Sequence, residues 1–167
     1  QGMAATPIQV ITAMAAVANG GKLVRPYVLK EIRRGDSVVK QTQPMVLRQV
    51  VSPATIPPMR EALIGVLDHA VRAKVPGYTM AGKTGSSQIV TDKGYDPDLT
   101  IASFVGFAPA DAPQVIILCK VDKPMNHSLG SEVAAPLYGA IARQIVEYLD
   151  IAPDNIRQAA ESRMPGR

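Results

Sequence analysis

Between residues 78 and 122 the sequence writes three strand-like segments in succession: "YTMAGKTGSSQIV", "TIASFVGFAPADAP" and "QVIILCKVDKP". Strands that follow one another through links this short pair antiparallel, because a parallel crossover needs a dozen or more residues. "PADAP" therefore closes a hairpin between the second and third, and the polar stretch "DKGYDPDL" reads as a loop between the first and second. The third segment is a nearly continuous apolar run, the pattern of a strand covered on both faces. Helical patterns flank this block instead of alternating with it. The expected fold is α+β, an antiparallel sheet flanked by helices.

In the first flank, Thr6 suits an N-cap, Pro7 the first helical position and Asn19-Gly20 a C-terminal stop. The helix they bracket, "ATPIQVITAMAAVANGG", is apolar on all sides, which predicts burial. Residues 22–51 read as a hairpin about "RRGDS", with Arg and Lys on its wet side. A second helix is expected from Ser52 to Ala73, its regular part starting after Pro57-Pro58. After the strands, Val133, Leu137, Ile141, Ile145 and Leu149 recur every four residues, a helix that Pro136 should bend in its second turn. Residues 1–150 read as the folded part, and 151–167 as a loose polar tail.

Composition excludes several classes. Hydrophobic residues make up 47% of the 167, so the chain can build a core, but with aromatics at 4% and no Trp that core is aliphatic. A net charge of +4, with no basic run and few aromatics to stack bases, gives no support to nucleic-acid binding. The single cysteine, Cys119, lies in the apolar third strand and reads as a small buried residue. Nothing approaches the length of a membrane span. The chain opens on "QGMAATP" and enters a helix almost at once, which reads as a piece of something longer.

Lys83 is the odd residue of the first strand. Lysine is disfavoured at a strand centre, yet here it stands between Gly82 and Thr84-Gly85-Ser86. Lys83 can present positive charge, Thr84 and Ser86 hydroxyl donors, and Gly85 allows close approach to the backbone. That set suits a carboxylate, or the oxyanion formed during acyl transfer. Such a lysine–carboxylate contact is worth about 4 kcal/mol gross at an effective dielectric of about 20, and less after desolvation. On these letters alone, an exposed strand lysine beside a bulge is the other reading.

The surrounding blocks decide between them. "QGMAATPIQVITAMAAVANGGKLVRPY", "VPGYTMAGKTGSSQ", "ASFVGFAPADAPQVIILCKVDKP" and "EVAAPLYGAIARQIVEYL" resemble, in order and over nearly the whole chain, the C-terminal part of the transpeptidase domain of class B penicillin-binding proteins. These are serine D,D-transpeptidases that cross-link peptidoglycan. The resemblance implies a β-lactamase/transpeptidase-like fold, present here as a partial domain. It implies that Lys83, Thr84, Gly85 and Ser86 line one wall of the active site. Lys83 and the two hydroxyls would bind the terminal carboxylate of a stem peptide or a β-lactam, and Lys83 would support proton transfer. The Ser86 N–H would be one arm of the oxyanion hole. Where the family often has Thr then Ala after K-T-G, this chain has Ser86-Ser87. Ser86 can keep the hydroxyl; the extra hydroxyl of Ser87 has no assigned role.

Only the last of the family's three motifs, S-x-x-K, S-x-N and K-T-G, is present. "SVVK", residues 37–40, has the letters of the first, but the motif needs a helix to set its lysine beside the serine, and two valines after "RRGD" predict a strand. Ser37 is therefore a decoy. The resemblance implies partners: an upstream transpeptidase segment carrying S-x-x-K and S-x-N, the peptidoglycan stem peptide and β-lactams. It also implies a location on the outer face of the cytoplasmic membrane, held by an N-terminal anchor not in this sequence. No cofactor or metal is expected, since a lysine supplies the base and His69, His127 and Cys119 make no ligand set. Asp92, Asp96 and Asp98 have the wrong spacing for a calcium loop. His127 is a candidate for a minor substrate contact. A serine β-lactamase or β-lactam sensor, and a non-catalytic cell-wall scaffold, are the alternatives.

Overall fold

The computed structural model describes residues 2–125 and 129–163. The first helix, α1, runs Pro7–Ala18 behind a full capping box: Thr6 Oγ1 accepts from the Gln9 N–H, and Gln9 Oε1 accepts from the Thr6 N–H. Its predicted burial is not met. Of its residues only Ala16 is buried, and Ile8 is 54% exposed. An all-round apolar helix has found cover on one side only.

Residues 22–49 form two nested two-stranded sheets, not one hairpin. Strand β1 (Lys22–Val24) pairs with β4 (Val46–Gln49), and β2 (Glu31–Arg34) with β3 (Ser37–Gln41) around Gly35. Every residue of β3 is exposed. Helix α2 spans Ile56–Gly65 and keeps Pro57 and Pro58 in its first turn, where the missing N–H groups have no helical acceptor in any case. It stops at Gly65, and the expected continuation breaks into the short turns Val66–Asp68 and Val71–Ala73.

The three expected strands are β5 (Ala81–Thr91), β6 (Gly94–Ala108) and β7 (Val115–Asp122), in one antiparallel sheet ordered β5-β6-β7. The supposed loop "DKGYDPDL" is mostly strand, with a tight turn at Asp92-Lys93 carried by Gly94 at φ 100°. Gln88 pairs with Thr100 and Ile89 with Asp96, so residues 97–99 bulge out of β6. The Asp96 carboxylate closes the bulge by accepting from the N–H groups of Asp98 and Leu99, at 2.9 and 3.2 Å. β7 buries only Cys119 fully, so it is half-covered and not buried on both faces.

Helices cover both faces of the sheet. Helix α3 (Ala134–Tyr148) lies on one face, where Phe104 and Tyr138 meet with ring centroids 4.7 Å apart. Pro136 falls in the first turn of α3, where no N–H is needed, and not in a second turn where it would bend the helix. On the other face Ala81, Phe107 and Ala110 pack against Met14 and Ala18 of α1 and Leu63 and Ile64 of α2. Of the tail expected to be loose, residues 151–162 are docked. Ile151 is buried, Tyr78 Oη donates to its carbonyl at 2.6 Å, and helix α4 runs Asp154–Ser162. No helix among the described residues is long and apolar enough to cross a membrane.

Candidate active site

Strand β5 is an edge, hydrogen-bonded among the described strands to β6 alone. Lys83 is exposed, and its Nζ donates to the carbonyl of Thr84 at 2.8 Å and to Thr84 Oγ1 at 3.4 Å. A carbonyl taken by a side chain in this way points off the open edge. The Thr84–Phe104 pair is then of the type that exchanges no ladder bonds. Two residues on, Ser86 opposite Ala102 has the same orientation, so its N–H also leaves the open edge. Side chains alternate between the faces: Lys83 and Gly85 project toward the α1 side, with Ala81, and Thr84 and Ser86 toward the α3 side, with Gly82. No carboxylate pairs with Lys83 among the described residues.

The glycines of this strand provide room, since neither Gly82 nor Gly85 has positive φ. A Cβ on Gly82 would sit 2.6 Å from the Phe104 ring, and one on Gly85 would strike Ser103 Oγ. Ser103 Oγ–H donates to the Gly85 carbonyl at 3.4 Å. The space left by Gly85 is thus filled by the neighbouring strand.

On the α3 face, Gly130 lies buried against β5, and its N–H donates to Ser86 Oγ at 2.9 Å. A Cβ on Gly130 would fall against the Ser103 carbonyl and 2.6 Å from that of Gly85. Sequence reasoning missed this contact. A glycine shortly before a helix reads as part of a cap, and nothing local reports a partner 44 residues away.

A cavity of about 660 Å³ lies between the N-terminal arm (Met3, Ala4, Ala5) and the sheet at Ser87, Ile89 and Leu118. It begins where β5 passes Ser87 and does not include Lys83, Thr84 or Ser86. The candidate residues stand on an open edge beside this concavity. Ser37 and Lys40, in contrast, sit on the exposed β2–β3 hairpin, opposite Arg34 and Ile32. His69 ends a short turn at the surface, and His127 lies outside the described residues. No cluster of three or more His, Cys, Asp or Glu could hold a metal among the described residues.

Residues 1–147 match the sequence profile of the penicillin binding protein transpeptidase domain. Stage V sporulation protein D of Bacillus subtilis is 40% identical over 160 residues, covering 92% of this chain and 24% of that protein. A probable peptidoglycan D,D-transpeptidase, PbpC of Pseudomonas aeruginosa, is 30% identical over 158 residues, covering 94% and 27%. Among solved structures, the ceftriaxone acyl-enzyme complex of penicillin-binding protein A from M. tuberculosis superposes with a TM-score of 0.78 at 29% identity. It covers 85% of this chain and 32% of that one. The chain spans about a quarter of the length of the curated relatives it matches.

Proposed function

Because the chain belongs to the penicillin-binding protein transpeptidase family, we propose that it forms the carboxylate-binding and oxyanion wall of a serine D,D-transpeptidase. A further segment of the same protein would bring the nucleophile to the open edge of β5. The observation that carries this reading is the alignment of Lys83, Thr84 and Ser86 along one free strand edge. A cation, two hydroxyls and an outward N–H there can converge on one anionic ligand.

In the complete enzyme the reaction is acyl transfer. A serine oxygen attacks the carbonyl of the penultimate D-Ala of a stem peptide, and the carbonyl oxygen takes up negative charge. The Ser86 N–H donates to that oxygen. Collapse of the intermediate breaks the amide C–N bond, and D-Ala leaves with a proton on its nitrogen. An amine of a neighbouring strand then attacks the ester and regenerates the serine. Lys83, Thr84 and Ser86 hold the terminal carboxylate of the donor, which fixes the scissile carbonyl against the serine. Gly85 leaves room for Ser103 of the neighbouring strand, so that β6 packs closely behind the open edge. A β-lactam, which carries a carboxylate beside a strained amide, would use the same contacts and leave a stable ester. A relative solved as a ceftriaxone acyl-enzyme complex supports this extension. The protein would work on the outer face of the cytoplasmic membrane, where peptidoglycan is made.

The test is acylation by a fluorescent penicillin of the full-length protein, with and without Lys83→Met. Removing the cation that holds the carboxylate, and with it the placement of the scissile carbonyl, should slow acylation about 100-fold while the far-ultraviolet circular dichroism stays unchanged. Equal labelling of the variant would rule out the proposed role of Lys83.

A further inference from the structure

The hydroxyl of Ser86 has one proton to give and two lone pairs to receive. Gly130 N–H already occupies one lone pair at 2.9 Å. The remaining O–H then has its best direction away from Gly130 and off the strand. Thr84 shows the same division: Lys83 Nζ donates to its oxygen at 3.4 Å, which leaves the threonine proton unspent.

Gly130 is held from both sides. Its carbonyl accepts from the N–H groups of Ala134 and Ala135, at 3.0 and 2.8 Å, at the start of α3. Both alanines are fully buried. The glycine has no room for a side chain, because the atoms a Cβ would meet are backbone atoms of β5 and β6. Since Gly130 is not among the positive-φ glycines, space and not conformation requires it. The first turn of α3 is thereby clamped against the strand at Ser86.

We propose that Gly130 is a positioning residue for carboxylate recognition: its backbone N–H fixes Ser86 Oγ as an acceptor and so commits the serine proton to the ligand's carboxylate. The inference rests on the carboxylate site proposed above and adds to it a residue from a different element. Without the clamp the hydroxyl rotates among several acceptors, and its donation to the ligand must be won against that freedom.

The test uses the full-length transpeptidase and two ligands, a penicillin with a free carboxylate and the methyl ester of the same penicillin. The variant replaces Gly130 by glycolate, which exchanges the N–H for an ester oxygen and adds no bulk, whereas an alanine would keep the N–H and press its Cβ into the backbone of Gly85 and Ser103. The expected result is a second-order acylation rate about tenfold lower with the free acid, little change with the ester, and no further loss when the change is made in a Ser86→Ala background. Equal loss on acid and ester, or additive loss with Ser86→Ala, would show that Gly130 only supports the fold and would overturn the proposal. If Ser86→Ala slows the acid while the glycolate variant is silent, the inference fails and the site reading stands. If Ser86→Ala is itself silent, both fail.

Discussion

Arg157 forks onto Asp111, its Nη1 donating to Oδ2 at 3.0 Å and its Nη2 to Oδ1 at 2.8 Å, and so fastens the C-terminal helix to the β6–β7 connection. The same Nη2 also reaches Asp154 Oδ1 at 2.6 Å. Asp154 Oδ2 accepts from the Thr79 N–H at 2.5 Å, just before β5. Three segments far apart in sequence are thus tied through the Arg157 guanidinium and the Asp154 carboxylate, and the arginine side chain is only 12% exposed.

The fork makes stability depend on acid. The Arg157 hydrogen bonds hold the Asp111 carboxyl below its usual pKa. A carboxyl depressed in the folded state adds stability above its unfolded pKa of about 3.9, and that stability is lost as the pH falls through the lower folded value. Arg157→Ala should lower stability by about 1–3 kcal/mol at pH 7. It should also shrink the loss seen between pH 5 and the acid limit. Urea titrations across that range measure both; an unchanged acid limb in the variant would refute the role given to the pair.

Tyr138 and Phe104 share a core contact but differ in what their removal does. Tyr138 Oη is buried with no hydrogen-bond partner among the described residues, and burial pushes its pKa far up, with Cys119 adding to the shift. Tyr138→Phe deletes only that unsatisfied atom and should be neutral or stabilising by up to about 1 kcal/mol. Phe104→Ala empties a fully buried position and should cost about 3–5 kcal/mol. Thermal melts of the two variants check the contrast, and a clear loss in Tyr138→Phe would mean that the hydroxyl is bonded after all.

Ser37 should be chemically silent. Ser37 and Lys40 lie on the fully exposed strand β3, opposite Arg34 and Ile32, with no helical turn to set the lysine against the serine and no pocket wall around them among the described residues. Ser37→Ala should leave penicillin labelling of the full-length protein unchanged. A labelled peptide containing Ser37, found by mass spectrometry, is the contrary outcome.

Much of this was legible in the chain because period-two patterns and capping residues act locally. β5 and β7 follow from their strand-like runs of Val, Ile and Thr, and Thr6 with Pro7 announces the start of α1. The failures are tertiary. "DKGYDPDL" looks like a loop because its residues are polar, yet a bulge at 97–99 lets β6 run on past them. Residues 66–73 look helical, but the chain there breaks into short turns beneath α3, where the Gly139 backbone comes close to Arg72 and Ala73. The tail looks loose because its acids and arginines are polar, and only the fold brings Asp111 to Arg157. Lys83 and its neighbours stand out as an odd set in a strand. Their place on a free edge, and the arrival of Gly130 beside Ser86, depend on contacts that no window of sequence contains.

The central claim is that the open edge of β5 receives a carboxylate and a developing oxyanion. The direct test is a crystal structure of the full-length protein acylated by a penicillin. The account predicts the drug's carboxylate within about 3 Å of Thr84 Oγ1 and Ser86 Oγ, and the ester carbonyl oxygen accepting from the Ser86 N–H. A carboxylate bound away from this edge, with Thr84 and Ser86 touching only the protein, would contradict it.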